Sequence, residues 1–315
     1  MTSNDIRILG GSASRRLAAA ICTRLGARPM PSCVLRFPEG NLFVQIRQNV
    51  RGRDVYLVQS TAFPTNEHFM ELLFWIDALK RASAASVTAV VPYFAYAKGD
   101  KKDQPRVSIR GRVCAEAMEA AGVDRLVTVD LHAPQVQGFF RVPVDDLYAE
   151  GLLCDAARPL IGDDCVVVSP DVGFAARARR CATRLGAPLA VADKQRLDHK
   201  GGMVIRDVIG DVTGRVALIV DDFTLTGGTL VQVAEKLIDR GAVRVLAAVT
   251  HGLLADGCRE NLDASPIEKL LITDTVETQP ESFSPKVQVV SAAGLLAEAI
   301  RRIHTRQSIS ALFES

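Results

Sequence analysis

The segment Val216-Ala-Leu-Ile-Val-Asp-Asp-Phe-Thr-Leu-Thr-Gly-Gly-Thr229 concentrates the residue types that can do chemistry. Its apolar run, Val216–Val220, predicts a buried strand that carries Asp221 and Asp222 to the carboxyl edge of a sheet, where open α/β folds take their ligands. Gly227 and Gly228 let backbone N–H groups come close to a phosphate, and a helix opening at Thr229 turns its positive end toward the same place. Thr226 and Thr229 add hydroxyl donors. A phosphate is therefore expected there, with the two acids placed to hold ribose hydroxyls or a magnesium-bound water farther back along the strand edge. The same residues would also make a strand-to-helix turn with a capping threonine. The length and specificity of the pattern favour the ligand.

The elements that must position such a loop are legible as alternation. Short β-branched runs at Ile6–Leu9, Val55–Gln59, Val87–Val91, Leu126–Val129, Cys165–Val168, Val216–Val220 and Val245–Val249 read as strands. Helices are expected at Ser14–Leu25, Asn66–Arg81, Gly111–Ala121, Phe174–Leu185, Thr229–Arg240 and Leu295–His304. In the second of these, Phe69, Met70, Leu73, Ile76 and Leu79 recur at helical spacing behind a Thr65/Asn66 cap. Strand and helix in alternation predict mostly parallel sheets flanked by helices. The 315 residues suffice for two such domains, with Phe139–Asp146 as the expected joint.

Composition excludes several classes. Charges of 38 basic and 36 acidic residues, net +2, leave no broad basic stripe for nucleic acid. With 48% hydrophobic residues but no uncharged run of spanning length, no membrane segment is expected. The start, Met1-Thr-Ser-Asn-Asp5, lacks a basic then apolar leader, so the cytoplasm is the default expectation. Seven scattered cysteines without a C-x-x-C pair read as reduced thiols rather than a zinc site. No Walker A or G-x-G-x-x-G pattern occurs.

The Asp221–Thr229 loop resembles the phosphoribosyl-diphosphate loop of type I phosphoribosyltransferases. Further segments narrow the resemblance: Asp130-Leu-His-Ala-Pro-Gln-Val-Gln-Gly-Phe-Phe140 with Val142-Pro-Val-Asp145, Val50-Arg-Gly-Arg-Asp-Val-Tyr-Leu-Val-Gln-Ser60, and Pro64-Thr-Asn-Glu-His68 leading to Ile76-Asp-Ala-Leu-Lys-Arg-Ala82. Together with Ser169-Pro-Asp171, Val249-Thr-His-Gly252 and Ser308-Ile-Ser-Ala-Leu-Phe313, they are similar, in order and over nearly the whole chain, to the ribose-phosphate pyrophosphokinase family. The resemblance implies two phosphoribosyltransferase type I-like α/β domains. These are an ATP-side domain at 1–146, a ribose 5-phosphate domain at 147–303, and a tail, 304–315, packed back on the first. It implies transfer of the β,γ-diphosphoryl group of ATP to the 1-hydroxyl of ribose 5-phosphate, with AMP release and magnesium as cofactor. A homo-oligomer, dimer-based and commonly hexameric, goes with the family.

Residue roles follow from the same resemblance. His132 and Asp171 would hold magnesium, which keeps most of its waters and takes few protein ligands. Lys194 and Arg196, in the polar and glycine-containing stretch Ala192–Gly202 expected to be mobile, would close over the reacting phosphates. Asp221, Asp222, Thr226, Gly227, Gly228 and Thr229 would bind ribose 5-phosphate. Phe37, Glu39, Asn41, Lys98 and Asp100 would form the nucleotide side, and Arg47, Gln135, Ser308 and Phe313 a regulatory phosphate or ADP site. Lys98-Gly99 stands where the family has Arg-Gln, Asn41 where an acid is common, and Leu225 where Asp is frequent. A lysine lacks the planar fork of arginine, so the nucleotide side is the altered one. The expectation is an active synthetase; a non-catalytic regulatory paralogue and a phosphoribosyltransferase are the alternatives.

Overall fold

The computed structural model describes residues 6–196, 203–277 and 283–312. The chain forms two compact units. One holds the described residues through Tyr148, together with 275–277 and 291–312; the other holds 149–274 and 283–290. Among the described residues no helix is long and apolar enough to cross a membrane.

The first unit is built on a five-stranded sheet of β1 (Arg7–Gly10), β4 (Asp54–Val58), β5 (Ser86–Val91), β6 (Arg125–Val129) and β7 (Val144–Leu147), in that order and parallel throughout. Alternate side chains of a strand point to opposite faces, and both faces here are covered. Leu9, Val55, Leu57, Val87, Ala89 and Leu126 meet α2 (Thr65–Arg81) and α3 (Arg110–Ala121) in one core. On the other face α1 (Arg15–Leu25) packs on α8 (Ala293–His304), and the ring of Tyr56 meets that of His304 edge-on. A hairpin, β2 (Ser32–Arg36) and β3 (Leu42–Ile46), forms its own two-stranded sheet.

The second unit has a seven-stranded sheet in the order β10-β9-β8-β11-β12-β13-β14. Its strands are β8 (Cys165–Ser169), β9 (Leu189–Arg196), β10 (Met203–Ile209), β11 (Val216–Thr224), β12 (Arg244–Gly252), β13 (Ile267–Thr273) and β14 (Val287–Val290). Only the β9–β10 pair is antiparallel. Val166, Val168, Ala217, Ile219 and Val245 pack on α6 (Gly228–Asp239) and α7 (Cys258–Ala264), while Val167, Leu218, Val220 and Leu246 pack on α4 (Glu150–Ile161) and α5 (Ala175–Leu185).

Several expectations are corrected. The division between units falls after Tyr148, just past the expected joint at Phe139–Asp146, because Val144–Leu147 pairs with β6 as a strand of the first sheet. Helix α8, expected within 147–303, belongs to the first unit because its apolar stripe is met by α1. The stretch 192–196 is ordered as the end of β9, in register with β10; 197–202 lies outside the described residues. Helix α2 begins at Thr65 after Pro64 with no side-chain cap, and Asn66 instead accepts a hydrogen bond from the Tyr96 hydroxyl. Helix α6 starts at Gly228 rather than Thr229.

Candidate functional site

Strands β8 and β11 are neighbours at the centre of the second sheet, and from them the chain proceeds to opposite sides, to β9 and to β12. Such a reversal opens a crevice at the carboxyl ends of the two strands. Ile219 pairs with Val168, so Asp221 and Asp222 emerge beside the turn that carries Asp171. The alternation of the strand then separates the two acids. Asp221 follows Ala217 and Ile219 toward the α6 face, and Asp222 follows Leu218 and Val220 toward the face covered by α4 and α5.

Helix α5 supplies the counter-charge. Arg177 Nη1 stands 3.8 Å from Asp222 Oδ2, with both side chains largely withdrawn from solvent, and its guanidinium lies 5.6 Å from the Phe174 ring centroid. The Asp222 N–H donates to Asp221 Oδ1 at 2.9 Å. Asp171 is held in place on both sides: its Oδ1 accepts from the Phe174 N–H at 3.0 Å, and its carbonyl accepts from Ser169 Oγ at 2.6 Å. Its other oxygen, Oδ2, is 3.9 Å from Lys194 Nζ. Strand β9 reaches that far because Val191 already pairs with Ser169, the last residue of β8, so the residues after it run past the end of β8 while still paired with β10. Desolvation, reinforced by the charge of Asp222 and then of Asp171, pushes the Asp221 carboxyl well above the ordinary carboxylate range. Asp222 and Asp171 thus each have a cation nearby, Arg177 and Lys194 respectively.

The loop after β11 is held from behind. The carbonyls of Thr224, Leu225 and Thr226 accept from Leu253 N–H (3.0 Å), Ala255 N–H (2.8 Å) and Asn261 Nδ2 (2.9 Å). Gly227 has φ +76°, a left-handed conformation that glycine takes without a Cβ penalty, and its carbonyl accepts the Val231 N–H at 2.9 Å to close the first turn of α6. First-turn amides have no carbonyl four residues back, so those after Gly227 are available to an anion. Thr226 is exposed and Gly228 and Thr229 are half-buried, whereas Asp222 is buried. Asp171, Lys194, Asp221, Asp222 and the Thr226–Thr229 loop therefore gather in the second unit. The Arg196 side chain lies outside the described residues.

The other expected residues belong to the first unit. His132 is exposed just past the carboxyl end of β6, after Asp130, whose φ is +46°, and Leu131, whose N–H donates to Asp146 Oδ1 at 3.0 Å. Phe37, Glu39 and Asn41 are exposed in the β2–β3 turn, where the Phe37 N–H donates to the Asn41 carbonyl at 2.8 Å and the Phe37 ring lies 6.2 Å from that of Phe43. Lys98 is exposed, and Asp100 accepts from Gln135 Nε2. A Cβ on Gly99 would lie 2.8 Å from Arg110 Nε and 2.9 Å from Arg110 Cβ, so Arg110 fills the space a side chain at position 99 would need. Arg47 is exposed, and Ser308 Oγ donates to Ser310 Oγ at 3.0 Å; Phe313 lies outside the described residues.

Sequence reasoning missed Arg177 and Asn261, and took Ser169 only as part of the segment Ser169–Asp171, without a role. Arg177 carried a signal: it sits four residues before Cys181, on the stripe that α5 buries with Ala178 and Ala182.

Two family models match the chain: the N-terminal domain of ribose phosphate pyrophosphokinase over residues 6–122, and the phosphoribosyl synthetase-associated domain over residues 199–314. The chain is 46% identical over 312 residues to a ribose-phosphate pyrophosphokinase of Caldanaerobacter subterraneus subsp. tengcongensis, covering 99% of this chain and 98% of the relative. It is 44% identical to the protein of the same name from Agrobacterium fabrum, covering 98% of this chain and 100% of the relative. Among solved structures, the phosphoribosylpyrophosphate synthetase of Mycobacterium smegmatis superposes with a TM-score of 0.90 at 36% identity, covering 96% of this chain and 100% of that one.

Proposed function

The chain belongs to the ribose-phosphate pyrophosphokinase family, and we propose that it transfers the β,γ-diphosphoryl group of ATP to the 1-hydroxyl of ribose 5-phosphate, releasing AMP. The observation that carries this reading is the meeting of Asp221, Asp222 and the Thr226–Thr229 loop at the β8/β11 crevice. The 5-phosphate is taken by the amides and hydroxyls of that loop, and the ribose hydroxyls by the acids at the strand end. Arg177 neutralises Asp222, which leaves Asp221 as the acid turned to the sugar.

Lys194 is the cation placed for the transferred group, because it already stands at the sheet edge beside Asp171. There it stabilises charge that builds on the equatorial oxygens, the main requirement of phosphoryl-type transfer. Arg196 is assigned the same task on the leaving AMP. The oxygen donors at Asp171 fit magnesium, a hard cation that retains waters and accepts few protein ligands. Among the described residues no group of three or more His, Cys, Asp or Glu is placed to hold a metal ion. When bound, magnesium would supply charge neutralisation for the transferred group. His132 is the second proposed ligand. Phe37, Glu39, Asn41, Lys98 and Asp100 are proposed for the nucleotide, and Arg47, Gln135, Ser308 and Phe313 for a regulatory anion in a cytoplasmic homo-oligomer.

The test is AMP release from ATP and magnesium, with and without ribose 5-phosphate. AMP that appears only with the sugar, and is lost in Lys194→Ala, is the expected result. Sugar-phosphate binding without AMP across several nucleotides would leave a non-catalytic member of the family.

A further inference from the structure

Helices α4 and α5 cover one face of the second sheet, and the seam between them is clamped at both ends. Glu150 accepts from Arg180 Nε at 2.9 Å at one end; at the other, Asp155 accepts from Arg184 Nη2 at 3.0 Å and Arg158 Nη2 donates to the Arg184 carbonyl at 2.9 Å. Between the clamps Cys154 faces Cys181, sulfur to sulfur 2.7 Å, at 1% and 3% exposure. That separation falls between the about 2.05 Å of a disulfide and the roughly 3.5–4.0 Å at which non-bonded heavy atoms rest. The two thiols are in hydrogen-bond contact, and the clamps keep the two helices where the sulfurs face each other. A covalent bond between the sulfurs therefore needs little movement of either helix.

We propose that Cys154 and Cys181 are a disulfide-forming pair, converted by a small-molecule disulfide into a buried cross-link between α4 and α5. One protein thiolate attacks the small disulfide, breaks its S–S bond and releases one thiol. The second protein thiolate then attacks the mixed disulfide and releases the other. One S–S bond is broken and one formed, the two protein thiols lose two electrons, and their two protons leave with the two small thiols. Hydrogen bonding to Cys154, and after it burial, hold the Cys181 thiol far above the ordinary thiol range, so attack is confined to opened states of the seam.

The test incubates the whole protein with oxidised glutathione, then denatures, alkylates and digests it for mass mapping. The expected product is one peptide pair joining Cys154 to Cys181, two hydrogens lighter than the reduced pair, with five of the seven cysteines alkylated. The thermal midpoint should rise by roughly 5 °C or more, fall back with dithiothreitol, and stay unmoved by glutathione in Cys154→Ala and in Cys181→Ala. Seven alkylated cysteines, mixed glutathione adducts alone, or a bridge between other cysteines would overturn the proposal. The mapping uses the unsubstituted chain and holds even if a variant fails to fold.

Discussion

At the scale of single residues, the site is an arrangement of charge. Lys194 Nζ lies 3.9 Å from Asp171 Oδ2, at the rim of the crevice and not within the loop proposed for the sugar phosphate. Lys194→Ala should therefore lower turnover by about 10²–10³-fold, the usual loss for one transition-state donor, while ribose 5-phosphate binding changes little. Steady-state rates set beside direct binding check this, and unchanged turnover would remove Lys194 from the reaction. Arg177 acts differently, through Asp222. Arg177→Met removes the guanidinium facing a buried carboxylate, and disturbing a buried pair costs a few kcal/mol, so the KM for ribose 5-phosphate should rise by about tenfold or more with the KM for ATP nearly unchanged. Arg177→Lys should recover part of the loss; equal changes in both constants would point to a general loss of structure. The loop acids and glycines were legible because their chemistry is local in sequence. The role of Arg177 was not, since the contact that defines it is made forty-odd residues away by a strand whose register only the fold sets.

At the scale of elements, the parallel strands at the sheet centres were legible because burial on both faces makes them continuous β-branched runs. Those at the margins were not. Strands β2 and β3 mix polar and apolar residues, and β7 and β14 have four residues each. Helix α4 contains Pro159, which reads as a break. Strand β9 ends in Asp193-Lys-Gln-Arg196, a loop by composition, and only its pairing with β10 makes it a strand. Two elements carry predictions. A Cβ at Gly227 would sit 3.5 Å from Cys258 Sγ, an ordinary contact, so Gly227→Ala suffers from its φ of +76° alone. That conformation costs about 1–2 kcal/mol, and calorimetry should show a modestly lower midpoint with weaker ribose 5-phosphate binding. In α8, Glu298 accepts from Arg301 and Arg302 at 2.6 Å, and these bonds hold its carboxyl at about 2, below the 4.5 of a free glutamate. A carboxyl lowered on folding contributes stability above its unfolded pKa and loses it as pH falls toward the folded one. The urea midpoint should therefore drop between pH 4.5 and 2 by more in the parent chain than in Glu298→Gln; parallel pH profiles would remove that contribution.

At the scale of the whole molecule, the chain builds one unit, leaves it for the second, and returns to finish the first with α8. Sequence reading placed that helix with the second domain, because position along the chain is the only neighbour relation a sequence displays. Packing reverses the assignment, since Leu296 and Ile300 are fully buried on a helix that meets α1. The chain has one tryptophan, Trp75, fully buried in the first core, so its fluorescence reports that unit's unfolding. Truncating a buried leucine or isoleucine to alanine costs about 2–5 kcal/mol. Leu296→Ala or Ile300→Ala should accordingly lower the urea midpoint seen by tryptophan fluorescence. Leu237→Ala, in the core beneath α6 of the second unit, should instead lower the far-ultraviolet circular dichroism midpoint and separate it from the fluorescence midpoint. If the α8 substitutions left the fluorescence transition in place while Leu237→Ala moved it, the helix would belong energetically to the second unit despite where it packs. The expected order, with α8 and Trp75 losing structure together, would make the C-terminal return of the chain a condition for the stability of the unit it began.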